Sequence, residues 1–266
     1  VNGDGVADLV IGHDQGGTGF PYLYTGKVYV YYGRGHLDPD IDLGSDADVT
    51  INGYYATWSG NDVACGDLNG DGIDDIVIGA YLDSYVAGSA GAVAVVLGSP
   101  SLPAAWDFNA TPPDAYLSSA VGGEMCGMSV AAGDLDGDGY DDVSFGAPLA
   151  NGGVHFGDGS AWTAQPDAGA DTLYDVSLHG TAGGWAVGKY VSAYSTLYRF
   201  DGSEWEVKET GYADAKKSFY GVSSYDASNA WAVGDGGTII KWNGSSWGAQ
   251  ASGVTSTLRG VSAADA

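Results

Sequence analysis

Aspartates alternate with glycines at three places along this chain, in a spacing that suits the capture of a hard cation. Two complete copies read Asp67-Leu68-Asn69-Gly70-Asp71-Gly72-Ile73-Asp74-Asp75 and Asp134-Leu135-Asp136-Gly137-Asp138-Gly139-Tyr140-Asp141-Asp142. A third, cut short by the start of the chain, reads Val1-Asn2-Gly3-Asp4-Gly5-Val6-Ala7-Asp8. In the complete copies oxygen-bearing side chains fall at loop positions one, three, five and nine, and a glycine at six permits the positive φ of a tight wrap. Ca²⁺ takes six to eight oxygens at about 2.3–2.6 Å, and alternate carboxylates plus one backbone carbonyl supply them from a short loop.

Helical calcium loops of the EF-hand kind open in the same way, but they run on to a bidentate glutamate at position twelve between two helices. Position twelve here is Ile78 or Phe145, both apolar. Strand-like runs follow, Asp75-Ile76-Val77-Ile78-Gly79-Ala80 and Asp142-Val143-Ser144-Phe145-Gly146-Ala147-Pro148, and small or β-branched residues such as Val63-Ala64-Cys65-Gly66 precede. Each loop therefore joins two strands.

Strand, acidic loop, Ile-Val-Ile-Gly-Ala, and then Gly26-Lys27-Val28-Tyr29-Val30-Tyr31-Tyr32-Gly33 or Gly91-Ala92-Val93-Ala94-Val95-Val96-Leu97-Gly98 resembles the FG-GAP repeat of integrin α-subunit propellers and their bacterial relatives. The resemblance covers residues 1–153. It implies Ca²⁺ held by Asp67, Asn69, Asp71, the Ile73 carbonyl and Asp75, and by Asp134, Asp136, Asp138, the Tyr140 carbonyl and Asp142. The copy that carries the Asp134 loop departs from the pattern after Val154-His155-Phe156-Gly157, where its closing strand is cut short.

Residues 154–266 repeat a different unit. Trp185-Ala186-Val187-Gly188 returns as Trp231-Ala232-Val233-Gly234, and Phe200-Asp201-Gly202-Ser203-Glu204-Trp205 returns as Trp242-Asn243-Gly244-Ser245-Ser246-Trp247. This is similar to the short tryptophan-rich propeller repeats of secreted bacterial proteins. Asp-Gly or Asn-Gly between aromatic and β-branched runs is a hairpin signal, so each unit is a small antiparallel sheet that needs neighbours to bury its faces. Both halves point to four-stranded blades in one continuous propeller.

The 45 Gly and 8 Pro, the short alternating segments such as Lys27-Val28-Tyr29-Val30-Tyr31 and the lack of helical periodicity give an all-β reading. With 34 acidic against 9 basic residues the formal charge is −25, which disfavours nucleic acid and anionic membrane surfaces. No run approaches the roughly 18 apolar residues of a membrane span. The chain lacks an initiating Met and opens inside a motif, as a processed or excised piece would. Calcium loops of this kind fill where calcium is plentiful, so the expected location is extracellular or at the cell surface.

Cys65 and Cys126 occupy inequivalent places in neighbouring repeats and are expected as buried free thiols. His13, His36, His155 and His179 are scattered without a nucleophile or metal-spaced partner, and the Gly-Ser pairs belong to turns. The expected function is a secreted, calcium-stabilised, lectin-like or adhesive binding module that holds a protein or carbohydrate on one face, with no catalysis. A carbohydrate-active enzyme on a propeller scaffold is the alternative. Five blades are expected. The path from Val261 through the chain ends to Val63 nearly equals one FG-GAP unit, so residues 258–264 would supply the missing inner strand of a blade formed by residues 6–50. A third Ca²⁺ would then be held by Asp265, Asn2, Asp4, the Val6 carbonyl and Asp8. The competing reading is a fragment of a six- to eight-bladed propeller.

Overall fold

Continuous apolar runs become the buried middle strands of sheets in the computed structural model, which describes residues 1–16, 24–34, 40, 42–84, 88–118, 122–147, 153–157, 162–164, 173–179, 183–190, 197–201, 205–207 and 216–263. Asp75–Ala80 and Ala92–Val96 are buried along their whole length, and so is Asp142–Gly146. Among the described residues there is no α-helix, and twenty strands make five four-stranded sheets.

Two compact units divide the chain, Val1–Val130 and Ala131–Ala266. In the first unit, β1 (Leu9–His13), β2 (Lys27–Tyr31) and β3 (Val49–Asn52) form an antiparallel meander. The next meander is β4 (Val63–Gly66), β5 (Asp75–Ala80) and β6 (Ala92–Val96), closed by the antiparallel β8 (Ala115–Ser118). Between β6 and β8 the chain makes an excursion, and its short β7 (Ala105–Asp107) pairs in parallel with β3. The expected all-antiparallel blade is corrected here: the fourth strand of the first sheet is parallel and arrives from the neighbouring repeat. Val28, Val30, Val49, Ile51, Ile76, Ile78 and Phe108 interlock as one core from these two sheets.

The third sheet runs β9 (Ser129–Gly133), β10 (Asp142–Gly146), β11 (Gly153–Gly157) and β12 (Trp162–Ala164). The fourth, β13 (Leu173–Leu178) to β16 (Trp205–Val207) with β14 (Gly184–Gly188) and β15 (Leu197–Phe200) between, is an antiparallel meander in chain order. So is the fifth, β17 (Phe219–Asp226), β18 (Asn229–Gly234), β19 (Ile239–Trp242) and β20 (Trp247–Gln250). The Asn243-Gly244 turn is made as its sequence asks, with Gly244 at φ 93° and the Asn243 side chain accepting the amides of Ser245 and Ser246 at 3.0 and 2.9 Å. Trp185 is fully buried, with its ring centroid 4.9 Å from that of Trp242 and 4.7 Å from that of Trp247. Tryptophan is thus packing between the fourth and fifth sheets.

A carboxylate clasp recurs, once within the first unit and once within the second. Asp62 accepts the amides of Val63 at 3.0 Å and Val130 at 2.8 Å, and Asp175 accepts those of Val176 at 3.0 Å and Val222 at 2.8 Å.

The C-terminal segment overturns the expected closure. Residues 258–263 form no strand. The Leu258 amide donates to the Gly234 carbonyl at 3.0 Å, the Ala263 amide to Ser223 Oγ at 2.9 Å, and the Arg259 guanidinium lies 5.0 Å over the Tyr220 ring. The segment is therefore held along β17, and β1 is an edge strand of its own sheet. The physical reason is local: Gly221 presents bare backbone, so the Arg259 carbonyl oxygen can approach to 2.8 Å from the place a Cβ would take. Neither cysteine forms a disulfide, but Cys65 is exposed because it lies on the edge strand β4, and only Cys126 is buried.

Gly79 shows how tightly the first unit closes, since a Cβ there would meet the Gly127 carbonyl oxygen at 2.2 Å, whereas one at Gly72 would meet nothing within 4 Å. Gly79→Ala is expected to cost about 1–3 kcal/mol through backbone displacement. Gly72→Ala is expected to cost about 1 kcal/mol from its positive φ alone. Urea denaturation of both variants checks this order, and equal losses would contradict it.

Candidate metal centre

All three acidic loops fold by the same local rule, in which the side chains at positions three and five accept the backbone amide two residues further on. In the first complete loop the Asp71 amide donates to Asn69 Oδ1 at 2.9 Å and the Ile73 amide to Asp71 Oδ1 at 2.9 Å. In the second, Asp138 donates to Asp136 Oδ1 at 3.1 Å and Tyr140 to Asp138 Oδ1 at 2.9 Å. The truncated copy repeats the pair, Asp4 to Asn2 Oδ1 at 3.0 Å and Val6 to Asp4 Oδ1 at 2.8 Å. Short polar side chains fold turns this way without help from a distant partner.

Position one ties the loop's far side. Asp67 accepts Asp71 and Gly72 amides at 3.0 and 2.9 Å, and Asp134 accepts Gly137 and Gly139 amides at 2.7 and 3.3 Å. The glycines at positions four and six all have positive φ: 72° and 84° at Gly70 and Gly72, and 82° and 95° at Gly137 and Gly139. The sequence argument asked for only the second of each pair. A positive φ at every second position wraps the loop tightly around its side-chain oxygens.

In the second loop this brings ligand oxygens of Asp134, Asp136 and Asp138 within 4.8 Å of one another. Three carboxylates so close repel one another unless a cation sits among them, and an all-oxygen donor set is the kind a hard divalent ion takes. Residues and ion fit. The first complete loop has Asn69 where the second has Asp136, and so offers one negative charge fewer.

Position nine does a second job that the spacing did not reveal. Asp75 is fully buried; its Oδ2 accepts the Leu68 amide at 3.0 Å and its Oδ1 the Gly98 amide at 2.7 Å. Asp8 matches it, taking the Gly33 amide on Oδ1 at 2.7 Å and the Asn2 amide on Oδ2 at 3.1 Å. Asp142 is also buried and accepts the Leu135 amide at 2.7 Å. These carboxylates pin the loop to the strand behind it, using Gly33 and Gly98, whose signal in the sequence was only the glycine after each Tyr-Val-Tyr or Val-Val-Leu run. Of the third site's expected ligands, Asn2, Asp4, Val6 and Asp8 share one loop, while Asp265 lies outside the described residues.

Comparison with known proteins agrees with the loop geometry. The FG-GAP repeat matches residues 59–96 and 127–163. Phosphatidylinositol-glycan-specific phospholipase D of Bos taurus is 31% identical over 162 residues, which is 58% of this chain and 18% of that protein. The Homo sapiens protein of the same name is 30% identical over 159 residues, again 58% of this chain and 18% of its own length. Integrin alpha-PS3 of Drosophila melanogaster is 27% identical over 151 residues, 56% of this chain and 13% of the integrin. The chain thus spans under a fifth of each of these relatives. Among the described residues no helix is long and apolar enough to cross a membrane.

Burial pushes the Asp75 carboxyl up to about 6 from its ordinary 3.8; the Gly98 and Leu68 amides oppose the rise, and the charges of Asp71 and Asp67 add to it. Between those two values the folded state holds a proton that the unfolded chain has released. Metal-free protein therefore gains stability from this group as pH falls through about 6, and loses it as pH rises. Urea midpoints at about pH 7.5 and about pH 5 are expected to move upward on acidification more in the wild type than in Asp75→Asn. Parallel shifts in the two proteins would contradict this.

Proposed function

We propose that this chain is part of a calcium-stabilised β-propeller that works outside the cell as a binding or adhesion module and has no catalytic chemistry of its own. The observation that carries the reading is the identical fold of three acidic loops, each hung between the first two strands of a sheet or at its start. Two FG-GAP repeats and the likeness to an integrin alpha support it. In this reading the five four-stranded sheets are blades, the last two being blades of the short tryptophan-rich kind, and the ligand binds on one face.

Calcium acts here as a staple. Each ion offsets the mutual repulsion of three or four carboxylates and binds the folded loop alone, so its binding free energy adds to stability by mass action. A matrix or cell-surface setting, where calcium is abundant, keeps the loops filled. An enzyme would require the same scaffold to carry a reacting pair of groups. Incubation of the calcium-loaded protein with soluble glycans and extracellular proteins separates the two readings: saturable binding with ligand recovered unchanged supports the module, and product release overturns it.

Calorimetric titration of metal-free protein is expected to show tighter binding at residues 134–142 than at 67–75, because four carboxylates face the ion against three and an amide. Asp136→Asn is expected to bring the tighter affinity down to that of the weaker loop, and an unchanged isotherm would defeat the ranking.

Hydrogen exchange with and without chelator is expected to show protection lost more in residues 1–153 than in 154–266, since only the first part carries the loops. A uniform loss would count against the staple.

A further inference from the structure

A cavity of about 590 Å³ opens in the first unit where the β3–β4 connection meets the excursion that carries β7. Phe108 and Tyr54 form its wall, with ring centroids 5.7 Å apart, and Tyr55, Asn109, Ser84 and Pro112 stand around it. Phe108 is 2% exposed, whereas Tyr55 leaves 48% of its surface in solvent.

The neighbouring repeat serves as an internal control on what the fold needs at this place. In both repeats a left-handed residue two before the close approach donates to the end of the preceding loop, Trp58 to the Tyr24 carbonyl at 3.0 Å and Met125 to the Ser89 carbonyl at 3.3 Å. The next amide does the same, Ser59 to Thr25 at 3.2 Å and Cys126 to Ala90 at 2.9 Å. Positive φ recurs at Ala56 and Gly123 and at Gly60 and Gly127. The backbone is therefore the repeat's own. Where this copy has Tyr54-Tyr55-Ala56-Thr57 the other has Val121-Gly122-Gly123-Glu124, so the frame does not require the aromatic pair.

The lining chemistry is selective. In a chain of net charge −25, none of the described side chains lining this cavity is charged. Asn109 is held rigidly: its Nδ2 donates to the Gly53 carbonyl at 3.1 Å and to Asp107 Oδ1 at 2.9 Å. Both donors being spent, Oδ1 is what the amide offers as an acceptor. Ser84 Oγ is fixed too, donating to the Leu82 carbonyl at 3.2 Å and accepting the Ser89 amide at 2.8 Å, with one lone pair left over. A flat aromatic face beside fixed polar groups, without charge, suits the C–H face and hydroxyls of a pyranose, and the volume lies within the roughly 300–1,000 Å³ of small-ligand sites.

We infer that this cavity binds a neutral saccharide, with a sugar ring stacked on Tyr55 and a hydroxyl donated to Asn109 Oδ1. The inference rests on the reading of the chain as a binding module and names the ligand class for one site within it. Anionic sugars are disfavoured because the surrounding charge of the protein is negative and the lining holds no cation to offset it.

The test titrates calcium-loaded protein with maltotriose, cellotriose, mannotriose and N-acetylchitotriose, and with sialyllactose as the anionic probe, following tyrosine fluorescence and amide shifts. Saturable binding of at least one neutral trisaccharide is expected, weakened about tenfold or more in Tyr55→Ala and kept within about twofold in Tyr55→Phe. Tyr55 is exposed, so both variants are expected to fold, and an unchanged calcium isotherm checks that they do. Binding that Tyr55→Ala leaves intact, preference for sialyllactose, or no binding by any neutral probe would each overturn the assignment. Release of product from a probe would instead defeat the module reading itself, and binding of extracellular proteins, recovered unchanged, remains its separate judge.

Discussion

A buried carboxylate at the end of each acidic loop is the constraint on which the first half of this structure depends. Asp75 sits inside the sheet stack with each of its two oxygens taken by a backbone amide, one from its own loop and one from the end of the third strand. Burying such a charge is costly unless donors surround it, and here the donors are backbone groups that exist only when loop and hairpin are in register. Register, loop conformation and ligand placement are thus one cooperative event. The oxygens at positions one, three and five of the second complete loop can crowd together because position nine holds the frame behind them.

The two units meet the need to hold successive sheets together by partly different means. The clasp at the first strands is shared, with Asp62 and Asp175 each bridging a pair of valine amides. Beyond that, the first unit relies on glycine approach, as at Gly79 against Gly127, and on a continuous aliphatic core of Val and Ile. The second replaces loop chemistry by tryptophan, with Trp185, Trp242 and Trp247 in mutual contact. Aromatic packing of that size needs no ion to sustain it.

The excursion between β6 and β8 joins the first sheet to the cavity beside it. By sending β7 to pair in parallel with β3, it completes the first sheet and at the same time brings Phe108 and Asn109 to the β3–β4 connection. A purely sequential meander would have left that edge bare and that cavity without a wall.

Much of this protein was legible in its residues. The alternation of Asp and Gly in three copies specified the loops, because side chains that fold their own turns act over two or three residues and need no distant partner. The apolar runs after them specified the buried middle strands, and Asn243-Gly244 specified a hairpin. Expectations weakened wherever the determining interaction was long-range. The parallel pairing of β7, the path of residues 258–263 along β17, the second duty of Asp75 toward Gly98, and the exposure of Cys65 all depend on which backbone lies alongside which. No residue pattern encodes that, since any edge strand offers the same amides and carbonyls. The chain's own letters therefore decided which side chains carry chemistry, and the tertiary structure alone decided which of them share a wall.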